Sequence, residues 1–305
     1  MTDDVLLAAH GLVRNFGRHQ ALCGIDLTLR RGEVLGFLGL NGAGKSTALQ
    51  ILAGALARHG GEITICGHDL ERAPRAARAA LGFLPQVPPL YDDMLVDEYL
   101  ALCGRLHGLA GGALATALAR ARQRAGLGDC GNRLIRHLSQ GFRQRTGIAQ
   151  AILHDPPVVL LDEPTAALDP AQIRDVRELI RDLGRQHAVL VSTHILPEVR
   201  LLANRVMILH QGHIVHDAPV GAALGPVRIR FAHEPARAAL IAIAGVHQAQ
   251  RLDDGAWLLD IDQRLTSAET IASSAVAAGW GVRELIADYD ALEYLFMRLT
   301  AGGSA

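Results

Sequence analysis

The chain has 305 residues, 50% hydrophobic and 20% charged, with a formal net charge of −1 at pH 7, which is typical of a globular protein with room for one large and one small domain. The near-neutral charge without a basic cluster predicts no nucleic-acid partner, and neither a secretory signal nor an 18-residue apolar run is present. The four cysteines lie far apart without a CxxC pair, which indicates neither a zinc site nor a disulfide framework, so we expect a soluble cytosolic protein.

The first 50 residues predict strands that lead into a glycine-rich turn. Residues 1–32 are typical of antiparallel strands, and the apolar run Val34–Leu38 predicts a buried strand. The fixed positions of the phosphate-loop pattern G-x-x-x-x-G-K-[ST] follow at Gly39, Gly44, Lys45 and Ser46. The residues after this pattern predict a helix that ends at Gly54.

This strand–turn–helix arrangement is suited to binding the phosphates of a nucleotide. Glycines allow successive backbone N–H groups to turn toward phosphate oxygens, and the helix start adds a partial positive charge. Lys45 would reach the β- and γ-phosphates, and Ser46 would be a magnesium ligand. Lys45 is also the only lysine among the 30 basic residues, which indicates a role that arginine does not fill. A chance glycine-rich turn is the alternative.

Two neighbouring carboxylates follow a second buried strand. The segment VVLLDEPTAALDP, residues 158–170, begins with four apolar residues, so Asp162 emerges at the carboxyl end of a strand, where open α/β sheets bind ligands. An aspartate there can hold magnesium, and Glu163 could act as a general base toward water. The alternative is a turn in which both acids have no catalytic part.

The histidine at position 194 and a later cluster of three histidines need separate interpretations. The apolar segment 188–194 predicts a third buried strand ending at His194, which would sense a γ-phosphate only if that strand lies beside the phosphate loop. The segment 205–215 predicts two strands around a Gln-Gly turn. In a hairpin, His210, His213 and His216 would point to both faces of the two strands. Because their imidazoles would then not converge, we favour a hairpin without a metal site.

The rest of the chain divides into a helical segment and a small C-terminal region. Residues 87–137 are rich in alanine, leucine and arginine with helical periodicity. After residues 221–226 the pattern changes. Strands are predicted at 227–232 and 256–262, and helices at 235–246 and 267–280. This predicts a small α+β domain, in which we find no catalytic constellation.

Five segments in this order resemble the motifs of ABC transporter ATPase subunits over about residues 5–220. They are GLNGAGKST (Walker A), FLPQ (Q-loop), LSQGFRQR (signature), VVLLDEPTAALDP (Walker B and D-loop) and STH (switch histidine). The resemblance implies an α/β fold: a P-loop NTPase core with an antiparallel β subdomain and an α-helical subdomain at about 87–137. We expect this ATPase domain to span 1–224 and a small C-terminal α+β domain to span 225–305.

The resemblance also implies ATP and Mg²⁺ as cofactors and assigns residues to them. The expected nucleotide contacts are Phe16, Gly39, Asn41, Gly42, Gly44, Lys45, Ser46, Thr47, Ser139, Gly141 and Asp169. The expected metal ligands are Ser46, Gln86 and Asp162. The expected catalytic residues are Glu163, His194 and Gln86. Phe142 stands where the common signature LSGGQ has glutamine, and it receives no role.

The partners follow from the same resemblance. In this family two ATPase subunits pair head to tail, so the helix start at Ser139 and Gly141 would face the γ-phosphate bound by the partner. We expect the second subunit to be a copy of this chain and an integral membrane permease to be contacted near Tyr91, with the chain peripheral on the inner face of the membrane. The signature variant and the tail at 289–302 favour export. A soluble ABC-type ATPase acting on ribosomes or DNA is the alternative, and a non-ABC P-loop NTPase, such as a kinase, is a third interpretation.

Overall fold

A computed structural model describes residues 4–166, 168–220, 226–252, 254–262 and 265–287, together with Phe296. The chain divides into two compact units, Met1–Val220 and Gly221–Ala305, and each is described by itself. No helix in the described ranges has the length and hydropathy needed to cross a membrane.

The first unit contains two sheets and a set of helices. Its strands are β1 (Val5–Phe16), β2 (His19–Arg30), β3 (Val34–Leu38), β4 (Gly60–Ile65), β5 (His68–Asp69), β6 (Leu81–Leu84), β7 (Val158–Asp162), β8 (Ala188–Thr193), β9 (Arg205–His210) and β10 (His213–Pro219). Its α-helices are α1 (Lys45–Leu52), α2 (Pro74–Ala79), α3 (Val96–Leu106), α4 (Gly111–Arg124), α5 (Gln140–Ile152), α6 (Pro170–Gly184) and α7 (Leu196–Leu202). Short 3-10 helices cover Gly128–Asn132 and Ile135–His137.

The larger sheet is parallel, with one antiparallel edge strand, in the order β10-β9-β3-β8-β7-β6. Every residue of β3, β7 and β8 is buried. Burial on both faces explains why these strands read as continuous apolar runs rather than as alternating patterns. The three predicted buried strands are therefore confirmed, and their carboxyl ends meet at one edge of the sheet.

A smaller antiparallel sheet, in the order β2-β1-β4-β5, packs against the larger one. It confirms the antiparallel strands predicted at the start of the chain. Leu7, Leu22 and Leu27 of this sheet belong to the same buried cluster as Phe37 of β3 and Leu49 of α1. Each such side chain contributes about 1.5–3 kcal/mol through its removal from water, so this core holds the phosphate-loop strand firmly in place.

The opposite face of the larger sheet is covered by helices. A second buried cluster joins residues of β7 and β8 to α3, α5 and α6. The segment predicted to be helical contains α3, α4 and the two 3-10 helices, and α5 follows it directly. Strands β9 and β10 form the predicted hairpin around Gln211 and Gly212.

The described residues of the second unit have the element order β-α-β-β-α-β. Its elements are β11 (Val227–Phe231), α8 (Arg237–Ile241), β12 (Val246–Arg251), β13 (Trp257–Ile261), α9 (Ala268–Ala277) and β14 (Val282–Ile286). The strand order β12-β13-β11-β14, with antiparallel neighbours, is the ferredoxin-like arrangement. Both helices contribute to a core built around Ile229, Trp257 and Ile271. The unit is thus an α+β fold.

The prediction for part of this unit was wrong. A helix was predicted over residues 235–246, but α8 covers only Arg237–Ile241 and the chain then turns into β12. Gly245, the residue before β12, has a φ of +84°, a left-handed conformation that does not fit inside a helix and that glycine adopts readily in the turn into the strand. Strands β12 and β14 were not predicted at all. The tail segment 289–302 lies outside the described residues apart from Phe296.

Candidate active site

The glycine-rich turn lies between β3 and α1, at the carboxyl edge of the larger sheet. Gly44 caps the start of α1 with a φ of +109°, and a methyl group added there would lie 2.5 Å from the carbonyl oxygen of Ala21. Both the left-handed backbone and the close approach require glycine at this position. Asn41 and Gly42 are exposed on the turn, and Ser46 and Thr47 are partly buried in the first turn of α1.

The ammonium group of Lys45 lies inside this turn. It donates hydrogen bonds to the carbonyl oxygens of Gly39 at 2.9 Å and Leu40 at 3.1 Å, and the residue is only 5% exposed. Burial lowers the pKa of Lys45, while the negative charges of Glu163 and Asp162 act in the opposite direction. A cation held inside a loop of backbone amides is suited to a phosphate group, which would add a counter-charge of its own.

Asp162 is fully buried at the end of β7. Its Oδ1 accepts a hydrogen bond of 2.5 Å from the hydroxyl of Ser192 on β8. Its Oδ2 is buried and has no hydrogen-bond partner in the described part of the chain. An unpartnered buried carboxylate oxygen is costly, and an oxygen ligand of this kind fits a hard cation such as Mg²⁺. The residues present therefore fit the magnesium ion that the sequence predicts.

Glu163 adopts an unusual backbone conformation beside this aspartate. Its φ is +48°, which is uncommon for a residue other than glycine and costs about 1–3 kcal/mol. Two hydrogen bonds hold it there, because the N–H of Glu163 donates to both the carbonyl oxygen and the hydroxyl of Ser192. Its Oε1 lies 3.1 Å from Nδ1 of His194 and 3.9 Å from Nζ of Lys45. Strain of this kind clusters at functional sites.

The register of the sheet brings His194 to this position. Strand β8 lies directly beside β3, with Thr193 paired to Leu38. The condition stated for His194, that its strand must neighbour the phosphate-loop strand, is therefore met. His194 is itself exposed, while the carboxylate it contacts is largely buried.

An open cleft of 430 Å³ brings most of the other predicted residues together. It is lined by Phe16, His19, Ala21, Asn41, Gly42, Gly44, Lys45, Ser46, Thr47, Gln86 and Glu163. Phe16 is 47% exposed, and the guanidinium of Arg14 lies 4.7 Å from the centre of its ring. An exposed aromatic face next to a phosphate-binding turn is suited to stacking on a base. Gln86 is exposed, two residues after the end of β6.

The signature residues and Asp169 are not among the residues that line this cleft. Ser139 begins helix α5, and its hydroxyl accepts a hydrogen bond from the N–H of Phe142 at 3.4 Å. Asp169 begins helix α6 and accepts the N–H of Gln172 at 2.8 Å. The helix N-termini at Ser139 and Asp169 therefore lie outside the lining of this chain's own phosphate-loop cleft.

Phe142, which the sequence left without a role, is explained by packing. Its ring is partly buried against the helical core cluster, and the guanidinium of Arg145 lies 5.9 Å from the ring centre. Among the polar residues of the site, sequence reasoning missed Ser192 and His19. The hydroxyl at the end of an otherwise apolar strand was the available signal for Ser192, whereas nothing in the pattern marked His19.

Comparisons with known proteins identify the family and the fold of the chain. The family model described as ABC transporter matches residues 22–166. The ABC transporter ATP-binding protein NatA of Bacillus subtilis (strain 168) is 38% identical over 199 residues, or 65% of this chain and 81% of NatA. The daunorubicin resistance ATP-binding protein DrrA3 of Streptomyces coeruleorubidus is 33% identical over 274 residues, or 87% of this chain and 83% of DrrA3. A solved dimeric bacterial ABC transporter cassette superposes with a TM-score of 0.65 and 24% identity, covering 70% of this chain and 98% of the cassette.

The fold and the site together define a P-loop ATPase. The chain belongs to the ABC transporter family, as an ATP-binding subunit with ATPase activity. ATP-binding subunits of this family work with a membrane permease. The predicted family, the core fold and the enzyme class are thus confirmed.

Proposed function

We propose that two copies of this chain bind two ATP molecules head to tail, and that closing and reopening of this dimer drives export through a separate membrane permease. The observation that carries the proposal is the pair of helix N-termini at Ser139 and Asp169, which lie outside the chain's own phosphate-loop cleft. A helix N-terminus is an anion site, so the γ-phosphate of a partner's ATP is a suitable ligand. A similar solved cassette is dimeric, which supports the pairing of two such chains.

The cleft residues take their roles from their positions. Lys45 and the backbone amides of the turn bind the phosphates, Phe16 stacks on adenine, and Asn41, Gly42 and Thr47 complete the cradle. Ser46, Gln86 and Asp162 are the proposed Mg²⁺ ligands, directly or through water. When bound, Mg²⁺ neutralises charge that develops on the phosphates.

Glu163 is the proposed general base. Its carboxylate lies at the mouth of the phosphate-loop turn, 3.9 Å from Nζ of Lys45, in a position to accept a proton from an attacking water. His194 contacts the same carboxylate and fixes its orientation. Ser139 and Gly141 of the partner would complete the site from the opposite side. Loss of the γ-phosphate removes these charge-assisted contacts, so hydrolysis opens the dimer.

The permease side of the proposal rests on the segment between Gln86 and α3. Val87 is 80% exposed and Tyr91 is 58% exposed, so two large apolar side chains face solvent just beyond a proposed magnesium ligand. Exposed apolar side chains four residues apart are available for a contact with another protein. Export as the direction is supported by the relative DrrA3, which is named for daunorubicin resistance. The chain would then be peripheral on the inner face of the membrane.

The variant Glu163→Gln tests the dimer directly. It keeps the size of the side chain but removes the base, so ATP should bind, hydrolysis should fall about 100-fold or more, and an ATP-dependent dimer should accumulate in sedimentation experiments. Adding Ser139→Arg to this variant should abolish the dimer while the monomer still binds ATP. A Glu163→Gln chain that stays monomeric with ATP, or that hydrolyses ATP at the normal rate, would overturn the proposal.

A further inference from the structure

Gly141 of the signature lies against a side chain from the helix that carries Asp169. Gly141 is buried, and a methyl group added to it would lie 2.5 Å from Cδ of Gln172 and closer still to the carbonyl oxygen of that side chain. Real side chains do not approach that closely. Any residue larger than glycine at this position would therefore displace Gln172.

Gln172 has a defined task on its own helix. Its backbone N–H donates to Asp169 Oδ1 at 2.8 Å, and its side-chain oxygen accepts the backbone N–H of Asp169 at 3.4 Å. This reciprocal pair is a capping box, which satisfies two N–H groups that the helix start leaves open. The side chain that touches Gly141 is thus the one that holds Asp169 in place.

A second contact links the same two helices one turn further on. Arg145 is 9% exposed, and its Nη2 donates to Oδ2 of Asp175 at 2.7 Å. Arg145 follows Gly141 by one turn of α5, and Asp175 follows Gln172 by about one turn of α6. The two helices therefore run in the same direction where they touch. Helices α5 and α6 also lead into the parallel neighbours β7 and β8. The two helix N-termini therefore lie side by side at one end.

We propose that Gln172 is a positioning residue that sets Asp169 against the signature turn, so that one subunit presents both helix N-termini as a unit to the nucleotide of its partner. The inference rests on the proposed head-to-tail dimer. It gives Gly141 a second reason to be glycine besides its approach to phosphate, because the absence of a side chain makes room for Gln172. Gln172 itself need not touch ATP.

The first experiment compares kcat with KM for ATP in three single variants. Gln172→Ala should lower kcat at least tenfold with KM changed less than twofold, because the chain's own phosphate-loop cleft is intact. Gln172→Glu should recover most of the rate, since glutamate also closes a capping box. Arg174→Ala, an exposed change on the same helix, should match the parent chain. A kcat for Gln172→Ala within twofold of the parent, or no recovery with glutamate, would overturn the inference.

The second experiment is a double-mutant cycle on ATP-dependent dimerisation in the Glu163→Gln background. Gly141→Ala should weaken the dimer at least tenfold when Gln172 is present, and by a factor at least three times smaller when Gln172 is alanine, because the clash with Gln172 is then absent and only the approach to the phosphate is affected. Equal losses in both backgrounds would mean that Gly141 serves the nucleotide alone and would refute the inference. If the Glu163→Gln parent forms no dimer, the proposed function fails and this inference fails with it. A dimer that is insensitive to Gln172→Ala refutes this inference only.

Discussion

The hydroxyl of Ser192 donates a 2.5 Å hydrogen bond to Oδ1 of Asp162 and accepts, at 3.0 Å, the backbone N–H of Glu163. One side chain on β8 therefore orients the proposed metal ligand and supports the strained backbone of the proposed general base. The contact exists because Asp162 and Ser192 are paired in the parallel register of β7 and β8. Ser192 is fully buried, so its removal would take away a hydroxyl that both groups use inside the protein.

Ser192→Ala should lower kcat about 10–100-fold and raise the Mg²⁺ concentration needed for half-maximal activity, because the carboxylate of Asp162 loses the partner that orients it. The measurement is the ATPase rate as a function of free Mg²⁺. Ser273→Ala is a matched control, because the hydroxyl of Ser273 is exposed and bonds only within α9. An unchanged Mg²⁺ dependence for Ser192→Ala would show that Ser192 does not support a metal ligand.

Lys45→Arg should weaken ATP binding at least tenfold, or about 1.4 kcal/mol. The ammonium of Lys45 fits between the carbonyl oxygens of Gly39 and Leu40, and a planar guanidinium is too large for the same turn. The chain otherwise uses only arginine among its basic residues, so the change tests why one lysine was kept.

The measurement is a titration with a fluorescent ATP analogue in the absence of turnover. Arg174→Lys is the reciprocal control on the exposed face of α6 and should leave the affinity unchanged. Equal affinity of Lys45→Arg and the parent chain would remove Lys45 from its proposed phosphate contact.

The sequence was sufficient to predict elements whose structure is decided by their own residues. Strands β3, β7 and β8 are buried on both faces, so each is a continuous apolar run that needs no partner to be recognised. In β12, by contrast, only Val246 and Ala249 are buried, in β14 no residue is more than partly buried, and polar residues interrupt both patterns. Their pairing with distant strands, rather than local propensity, decides their structure.

The same distinction applies to the site. The phosphate-loop residues follow one another along the chain and were found from their spacing alone. Ser192 acts across 30 residues on Asp162, and Gln172 acts across 31 residues on Gly141. Contacts of this kind depend on strand register and helix packing, which one sequence does not encode in any short pattern.

A stacked pair of histidines predicts how the stability of the first unit depends on pH. The rings of His107 and His154 lie 3.6 Å apart and nearly parallel, and Nε2 of His154 faces the carbonyl oxygen of Leu81 at 3.2 Å. Burial, with a smaller contribution from His107, lowers the pKa of His154 to about 4. An unfolded histidine has a pKa of about 6.5.

Between these two pKa values the unfolded chain binds more protons than the folded chain, so the free energy of unfolding falls as the pH drops from about 6.5 toward 4. We expect this histidine to account for about 1–2 kcal/mol of lost stability between pH 7.5 and pH 5. His154→Gln keeps a donor for Leu81 but does not titrate, so urea unfolding of this variant should show a smaller loss over the same interval. His213→Gln, at an exposed histidine, should keep the pH dependence of the parent chain. The assignment is wrong if His154→Gln and the parent lose stability equally on acidification.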